Sequence, residues 1–202
     1  MKKIQYNTVL DLFCGCGGMS LGFEEAGYRV LLGIDIWKDA LETYKYNHKQ
    51  SKTLCADMAS LNPSDIVKML DGNDIDVIIG GPPCQGFSIA GKRIVDDERN
   101  KLYKGFVRMV NYFQPKAFVM ENVPNILSIG GGAVKEAIIK DFEELGYHIE
   151  VQVMLASNYG VPQNRRRAVF VGTRNNMIYE FPAPGNLPMV TSKEALSDLP
   201  DC

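Results

Sequence analysis

The sequence predicts an α/β protein built on a doubly wound, mostly parallel sheet, and three observations support that class. Short apolar, β-rich runs alternate with helical ones through most of the 202 residues, the signature of βαβ units with helices on both faces. The first apolar run ends in a glycine cluster, Gly15-Cys16-Gly17-Gly18, and an acidic residue closes the second run. The other chemically unusual residues also gather just after apolar runs, at the edge where open α/β sheets bind their ligands.

Residues 8–13 (TVLDLF) read as a buried strand and residues 20–26 as a helix that Gly27 stops. Residues 29–34 form a second strand, residues 38–47 an amphipathic helix and residues 52–56 a short third strand. Pro63 opens a helix over 63–70, where its missing N–H costs nothing. Residues 76–79 are a fourth strand, 80–100 a loop, 102–112 a helix, 117–120 a fifth strand and 134–145 another helix. Two late strands, 149–155 and 168–172, flank a basic turn. Prolines accumulate from about residue 175, and a short helical piece over 192–198 closes the chain. We therefore expect a main domain over 1–175 and a proline-rich tail over 176–202, with no internal repeat.

Composition narrows the function. With 46% hydrophobic and 23% charged residues, disorder and coiled coils are excluded. Twenty-two basic against 24 acidic side chains, net −2, exclude a protein that holds nucleic acid by bulk charge, though not one with a local basic patch. The absence of an apolar run of about 18 residues argues against a membrane span, and the amino terminus lacks a signal-peptide pattern. A soluble, cytoplasmic location is expected. Five cysteines, an odd number, suit free thiols. Neither Cys14/Cys16 nor the isolated His48 and His148 have zinc-like spacing, so no metal site is expected.

The glycine cluster after Asp11-Leu12-Phe13 allows a tight turn close to a ligand. Asp35, 20 positions after Gly15, stands where a carboxylate takes both hydroxyls of a ribose. Ser20 replaces the third glycine of the dinucleotide fingerprint, which disfavours a pyrophosphate and leaves an adenosine open. Asp57, after the third strand, could accept a hydrogen bond from an adenine amino group. A turn that merely joins strand to helix also fits this stretch.

Gly80-Gly81-Pro82-Pro83-Cys84-Gln85-Gly86-Phe87-Ser88 is the most informative segment. It follows an apolar strand, and its two prolines restrict the chain ahead of Cys84. Cys84 is a candidate nucleophile, active as its thiolate, or a small buried thiol. Glu121-Asn122-Val123 follows at the carboxyl end of the fifth strand. If the fourth and fifth strands are neighbours, Glu121 and Cys84 converge. A thiolate beside a carboxylic acid suits attack on an electron-poor ring whose nitrogen must be protonated. In Gln163-Asn164-Arg165-Arg166-Arg167, Arg165 and Arg167 share one face of an extended chain, suited to a phosphate and a base oxygen. A solvated basic turn is the alternative.

Taken together, Asp11–Gly18, Asp35, Asp57, Pro83-Cys84-Gln85, Glu121-Asn122-Val123 and Gln163-x-Arg165-x-Arg167 resemble the DNA (cytosine-5) methyltransferase family, from residue 9 to about 174. The resemblance implies a Rossmann-like sheet of the S-adenosylmethionine-dependent methyltransferase type, S-adenosylmethionine as methyl donor and a cytosine flipped from double-stranded DNA as substrate. It implies that Cys84 adds to carbon 6, Glu121 serves ring nitrogen 3, Asn122 holds the glutamate's loop, and Arg167 and Arg165 lie near the base oxygen and the backbone. Gln85, Ser88 and Gln163 fall at DNA-facing positions. Asp11, Phe13, Gly15, Gly17, Gly18, Asp35, Ile36, Asp57, Met58, Pro83 and Leu102 fall at cofactor positions. Many relatives carry an aromatic residue where Ile36 stands. Residues 87–101 match the family's mobile catalytic loop.

Family members continue into a variable target-recognition domain and a final helix beside the first strand; this sequence stops at Cys202. The resemblance thus implies a chain incomplete alone, either one subunit of a split enzyme of a bacterial restriction–modification system or a truncated chain. It would then bind its cofactor weakly and leave an apolar patch near the first strand. The competing readings are a tRNA cytosine-5 methyltransferase, a non-catalytic cofactor- or DNA-binding subunit and, more remotely, an NAD-dependent dehydrogenase.

Overall fold

A computed structural model of the chain describes residues 8–83, 89–90, 93–94, 100–175, 177–185, 188 and 190–200. The elements are β1 (Thr8–Leu12), α1 (Gly18–Glu25), β2 (Arg29–Asp35), α2 (Lys38–Asn47), β3 (Lys52–Cys55), α3 (Pro63–Ile66) and β4 (Val77–Gly80). They continue with β5 (Ile89–Ala90), β6 (Arg93–Ile94), α4 (Lys101–Phe113), β7 (Ala117–Asn122), α5 (Ala133–Glu143), β8 (His148–Leu155), β9 (Arg166–Thr173) and α6 (Ser192–Ala195).

Seven strands form one sheet in the order β3-β2-β1-β4-β7-β9-β8. Neighbours from β3 to β7 pair in parallel, whereas β9 runs antiparallel to both β7 and β8. The predicted doubly wound, mostly parallel sheet is therefore the observed one. The helix over 63–70 is α3 followed by a 3-10 turn over Val67–Leu70. The segment 80–100, expected as a loop, also holds the antiparallel pair β5–β6. The terminal helix is shorter than the expected 192–198. It is opened by a capping box, in which Thr191 Oγ1 accepts from the Glu194 N–H and Glu194 accepts from the Thr191 N–H.

Alternation along the strands fills both faces. Val9, Val77 and Ile79 pack with Val30, Met19 and Phe23 on the α1 side. Leu10, Leu12 and Ile78 join the larger core with residues of α3, α4 and α5. That core centres on aromatic rings. Phe118 of β7 lies 4.2 Å from Phe142 of α5, 5.9 Å from Phe106 of α4 and 5.3 Å from Tyr147, centroid to centroid. A shallow hollow beside α1 is lined by Met19, Gly22, Phe23, Ala26 and Tyr28. Among the described residues, no helix is long and apolar enough to cross a membrane.

Phe142 is fully buried between Phe118, Phe106 and Tyr103, far along the chain from the chemically unusual segments. Phe142→Ala is expected to destabilise the chain by about 3–5 kcal/mol, measured as a lower urea midpoint with an unchanged slope.

Candidate active site

Register decides what meets at the ligand edge. β4 pairs with β7 so that Gly80 faces Met120, and the chain beyond Gly80 then lies against Glu121. A Cβ placed on Gly81 would stand 3.3 Å from Glu121 Oε2. Asn122 is buried and ties the two tips together. Its amide nitrogen donates to the Pro82 carbonyl at 2.8 Å, and its Oδ1 accepts from the Val123 N–H at 2.9 Å. Glu121 and Asn122, expected just after the fifth strand, are its last two residues. Cys84, Gln85 and Ser88 lie outside the described residues, as does most of the expected catalytic loop; of the expected convergence with Glu121, the described chain holds only the approach of Gly80–Pro83.

The two arginines arrive from the opposite direction. β9 runs antiparallel to β7 with Asn122 beside Ala168, so its amino end reaches the same edge. Arg167 Nε lies 2.6 Å from Glu121 Oε1 and Arg165 Nη2 3.3 Å from the same oxygen. The expected shared face of Arg165 and Arg167 is thus seen directly. Arg167 Nη1 also donates to the Arg166 carbonyl at 2.8 Å. Gln163 sits in the preceding turn, where its carbonyl accepts from the Arg165 N–H at 2.9 Å.

Next to this edge is a cleft of about 720 Å³ lined by Phe13, Asp35, Ile36, Ala56, Asp57, Met58, Ala59, Gly81, Pro83, Lys101 and Leu102. Seven of the expected cofactor residues therefore line one cavity of small-molecule size. Ala56, Ala59, Gly81 and Lys101 join them without having been anticipated. Phe13 adopts a left-handed backbone, φ 61°, a conformation that costs a bulky residue about 1–2 kcal/mol. The strained turn directs the chain from β1 into the glycine cluster. Asp35 is held by two backbone donors, the Gly15 N–H at 2.8 Å on Oδ2 and the Trp37 N–H at 2.8 Å on Oδ1. Each oxygen keeps a second lone pair, so the fixed carboxylate suits a pair of vicinal hydroxyls. Asp57 Oδ1 accepts from the Ala59 N–H at 2.9 Å, which orients that carboxylate in the same way. Ile36 is 67% exposed at the cleft's rim.

Asp11, Gly15, Gly17 and Gly18 do not line the cleft; they build the turn beside it. Gly17, at φ 93°, has no room for a side chain, because a Cβ would stand 2.1 Å from His48 Nε2 and 2.9 Å from the Tyr44 ring. Asp11 is buried, and its Oδ2 accepts from Ser20 Oγ at 2.6 Å. Ser20 Oγ in turn shares a 2.7 Å hydrogen bond with Tyr44 Oη. The serine that breaks the dinucleotide fingerprint is therefore the partner of a buried carboxyl, a role its position in the glycine pattern could have signalled. Burial raises the Asp11 carboxyl to about 7, with the charge of Asp35 adding to the effect and the Ser20 hydrogen bond opposing it. Burial and the neighbouring Asp11 also push the Cys14 thiol up, which suits a packed thiol rather than a nucleophile. Cys16 and Cys55 are free and exposed. Among the described residues, no cluster of His, Cys, Asp and Glu could hold a metal ion.

The Asp11 shift gives stability a pH dependence whose sign is fixed. Between about pH 4 and 7 the folded carboxyl keeps a proton that the unfolded one has lost, so stability falls as pH rises through that window. Asp11→Asn, which keeps a partner for Ser20, is expected to remove this component. Its melting temperature relative to the parent chain should be higher at pH 8 than at pH 4.5, read from thermal unfolding across the range.

Comparison with known proteins gives a consistent result. The model of the C-5 cytosine-specific DNA methylase family matches residues 7–201. The chain is 41% identical over 196 residues to the type II methyltransferase M1.HphI of Haemophilus parahaemolyticus, covering 96% of this chain and 53% of the relative. It is 43% identical over 204 residues to M.DdeI of Desulfomicrobium norvegicum, covering 96% and 48%. Among solved structures, an E. coli prophage-encoded protein described as a DNA modification methyltransferase superposes with a TM-score of 0.82 at 36% identity. That match covers 97% of this chain and 56% of the other. The chain spans about half the length of the curated relatives it matches. With its sheet, its cleft and its matched residues in agreement, the chain belongs to the C-5 cytosine-specific DNA methylase family.

Proposed function

We propose that this chain carries the catalytic portion of a DNA cytosine-5 methyltransferase of a bacterial restriction–modification system, acting on a cytosine flipped out of double-stranded DNA. The observation that carries the reading is the convergence of Glu121, Arg165 and Arg167 beside the Gly80–Pro83 segment that leads into Cys84. The cleft bounded by Asp35 and Asp57 opens on the same edge.

The cleft fits S-adenosylmethionine by its donor set. Asp35 would accept both ribose hydroxyls and Asp57 the adenine amino group, with Phe13, Ile36, Met58, Pro83 and Leu102 as apolar walls. When bound, S-adenosylmethionine would supply an electrophilic sulfonium methyl group to carbon 5 of the base. The Cys84 thiolate forms the bond to carbon 6 of cytosine, and the electron pair displaced from the 5,6 double bond moves through the ring toward nitrogen 3. Glu121 gives its proton to nitrogen 3, so the adduct is an enamine rather than a carbanion. Arg167, paired with the glutamate, would hold the base oxygen. Arg165, the more exposed of the two, is placed for a phosphate. Water then takes the carbon 5 proton and nitrogen 3 returns its proton to Glu121, as the 5,6 double bond re-forms and the Cys84 thiolate leaves. Asn122 maintains the spacing of the two tips. Gln85, Ser88 and Gln163 are assigned to the DNA face.

Duplex DNA carrying 5-fluorocytosine tests the chemistry, because fluorine at carbon 5 blocks the final proton loss. The chain is incubated with this DNA and S-adenosylmethionine, alone and with a candidate partner polypeptide. A covalent adduct mapped to Cys84 by mass spectrometry, absent in Cys84→Ser, is expected. On unfluorinated DNA, Glu121→Gln should slow single-turnover methylation by about 10²–10⁴-fold. An adduct mapped to another residue, or single-turnover rates indifferent to Glu121, would refute the assigned roles.

A further inference from the structure

The turn that presents Asp57 and Met58 to the cleft is held from behind by one helix. Within residues 57–61 the Asp57 carbonyl accepts from the N–H groups of Ser60 and Leu61, at 3.1 and 2.9 Å. The carbonyls of Met58, Ala59 and Leu61 converge on a single side chain of α4. Arg108 Nη2 lies 2.7 Å from the Met58 oxygen, 3.0 Å from that of Leu61 and 3.4 Å from that of Ala59. One turn earlier on α4, Gly105 lets the helix backbone press on the same carbonyl. A Cβ there would stand 2.4 Å from the Met58 oxygen. Arg108 Nε is buried, and no described residue accepts from it, so the guanidinium occupies this place at the expense of one donor. The first turn of α4 meanwhile contributes Leu102 to the cleft wall.

We propose that Arg108, seated by Gly105, is a positioning residue for the adenine end of the cleft, holding the 57–61 turn so that Asp57 and Met58 face the bound nucleoside. The inference rests on reading the cleft as an adenosyl site. A cation shared among three carbonyls of one tight turn fixes their direction, and with them the opposite side of the turn. A charge-assisted donor on this scale is worth roughly a factor of ten or more in the population of the held conformation. A core arginine without this role would affect folding but not which purine is preferred.

The test is titration calorimetry of the 202-residue chain with S-adenosylhomocysteine and with S-inosylhomocysteine, which lacks the 6-amino group. The parent chain should prefer the adenosyl ligand. Arg108→Met should weaken the adenosyl ligand about tenfold and the inosyl ligand much less, so the preference shrinks. Arg108→Lys, which keeps a cation but not the fork, should recover part of it. If Arg108→Met does not fold, Arg108→Lys is read alone, with a reduced preference supporting the proposal and a parental one overturning it. A folded Arg108→Met that keeps the parental preference, or loses both ligands equally, also overturns it while leaving the adenosyl site intact. A parent chain that binds both ligands alike, or binds neither even at about 1 mM ligand, the range of a weak site, removes the adenosyl reading and this inference with it.

Discussion

Parallel pairing across β2, β1, β4 and β7 is the constraint on which the site depends. Parallel strands deliver their carboxyl ends to one edge, and the backbone hydrogen bonds fix how far each tip projects. Leu12 opposite Gly80 and Gly80 opposite Met120 place the turn after β1, the proline segment after β4 and Glu121 at the end of β7 at comparable height. The Asn122–Pro82 hydrogen bond then converts neighbouring strands into neighbouring chemical groups. It is buried, so breaking it would leave a polar group without water. The spacing between the carboxylate and the chain leading to Cys84 is therefore set by the sheet rather than by flexible side chains.

The second requirement is a fixed glycine turn beside the cleft, and the protein meets it with buried polar groups. Asp11, Ser20 and Tyr44 join β1, α1 and α2 under the glycine turn, and burial favours the protonated carboxyl there. A neutral acid can donate as well as accept, so the trio can be satisfied without leaving an isolated charge in the interior. Asp35 and Asp57 stand at the cleft itself, where backbone N–H groups orient them. Carboxylates of one residue type thus serve as an internal strut or line an open cleft, according to depth.

Much of this was legible in the sequence because burial on both faces gives a strand a continuous apolar run, and glycine and proline mark where each run stops. Asp35 and Asp57 were found by their places after such runs, whereas Phe13, Met58, Pro83 and Leu102 were found only through the family resemblance. Arg108 left no comparable mark. Its partners lie 47–50 residues away, and its hydrogen bonds go to backbone oxygens, which carry no residue identity. The Ser20–Asp11 bond was only half visible, as a departure from a glycine pattern whose purpose required coordinates. The pair β5–β6 was missed because two-residue strands are too short to show alternation.

The direction of β9 was likewise hidden, yet the arginine cluster depends on it. A strand that continued the parallel order would carry its amino end, and with it Arg165 and Arg167, to the edge opposite Glu121. Reversal brings both guanidinium groups to the tip of β7, where a carboxylate receives them. The reversal is permitted by the connection: β8 and β9 are joined by a short turn over residues 156–165 rather than by a crossover helix, and such a turn can link only antiparallel neighbours. The turn that carries Arg165 therefore dictates the strand direction that delivers both arginines.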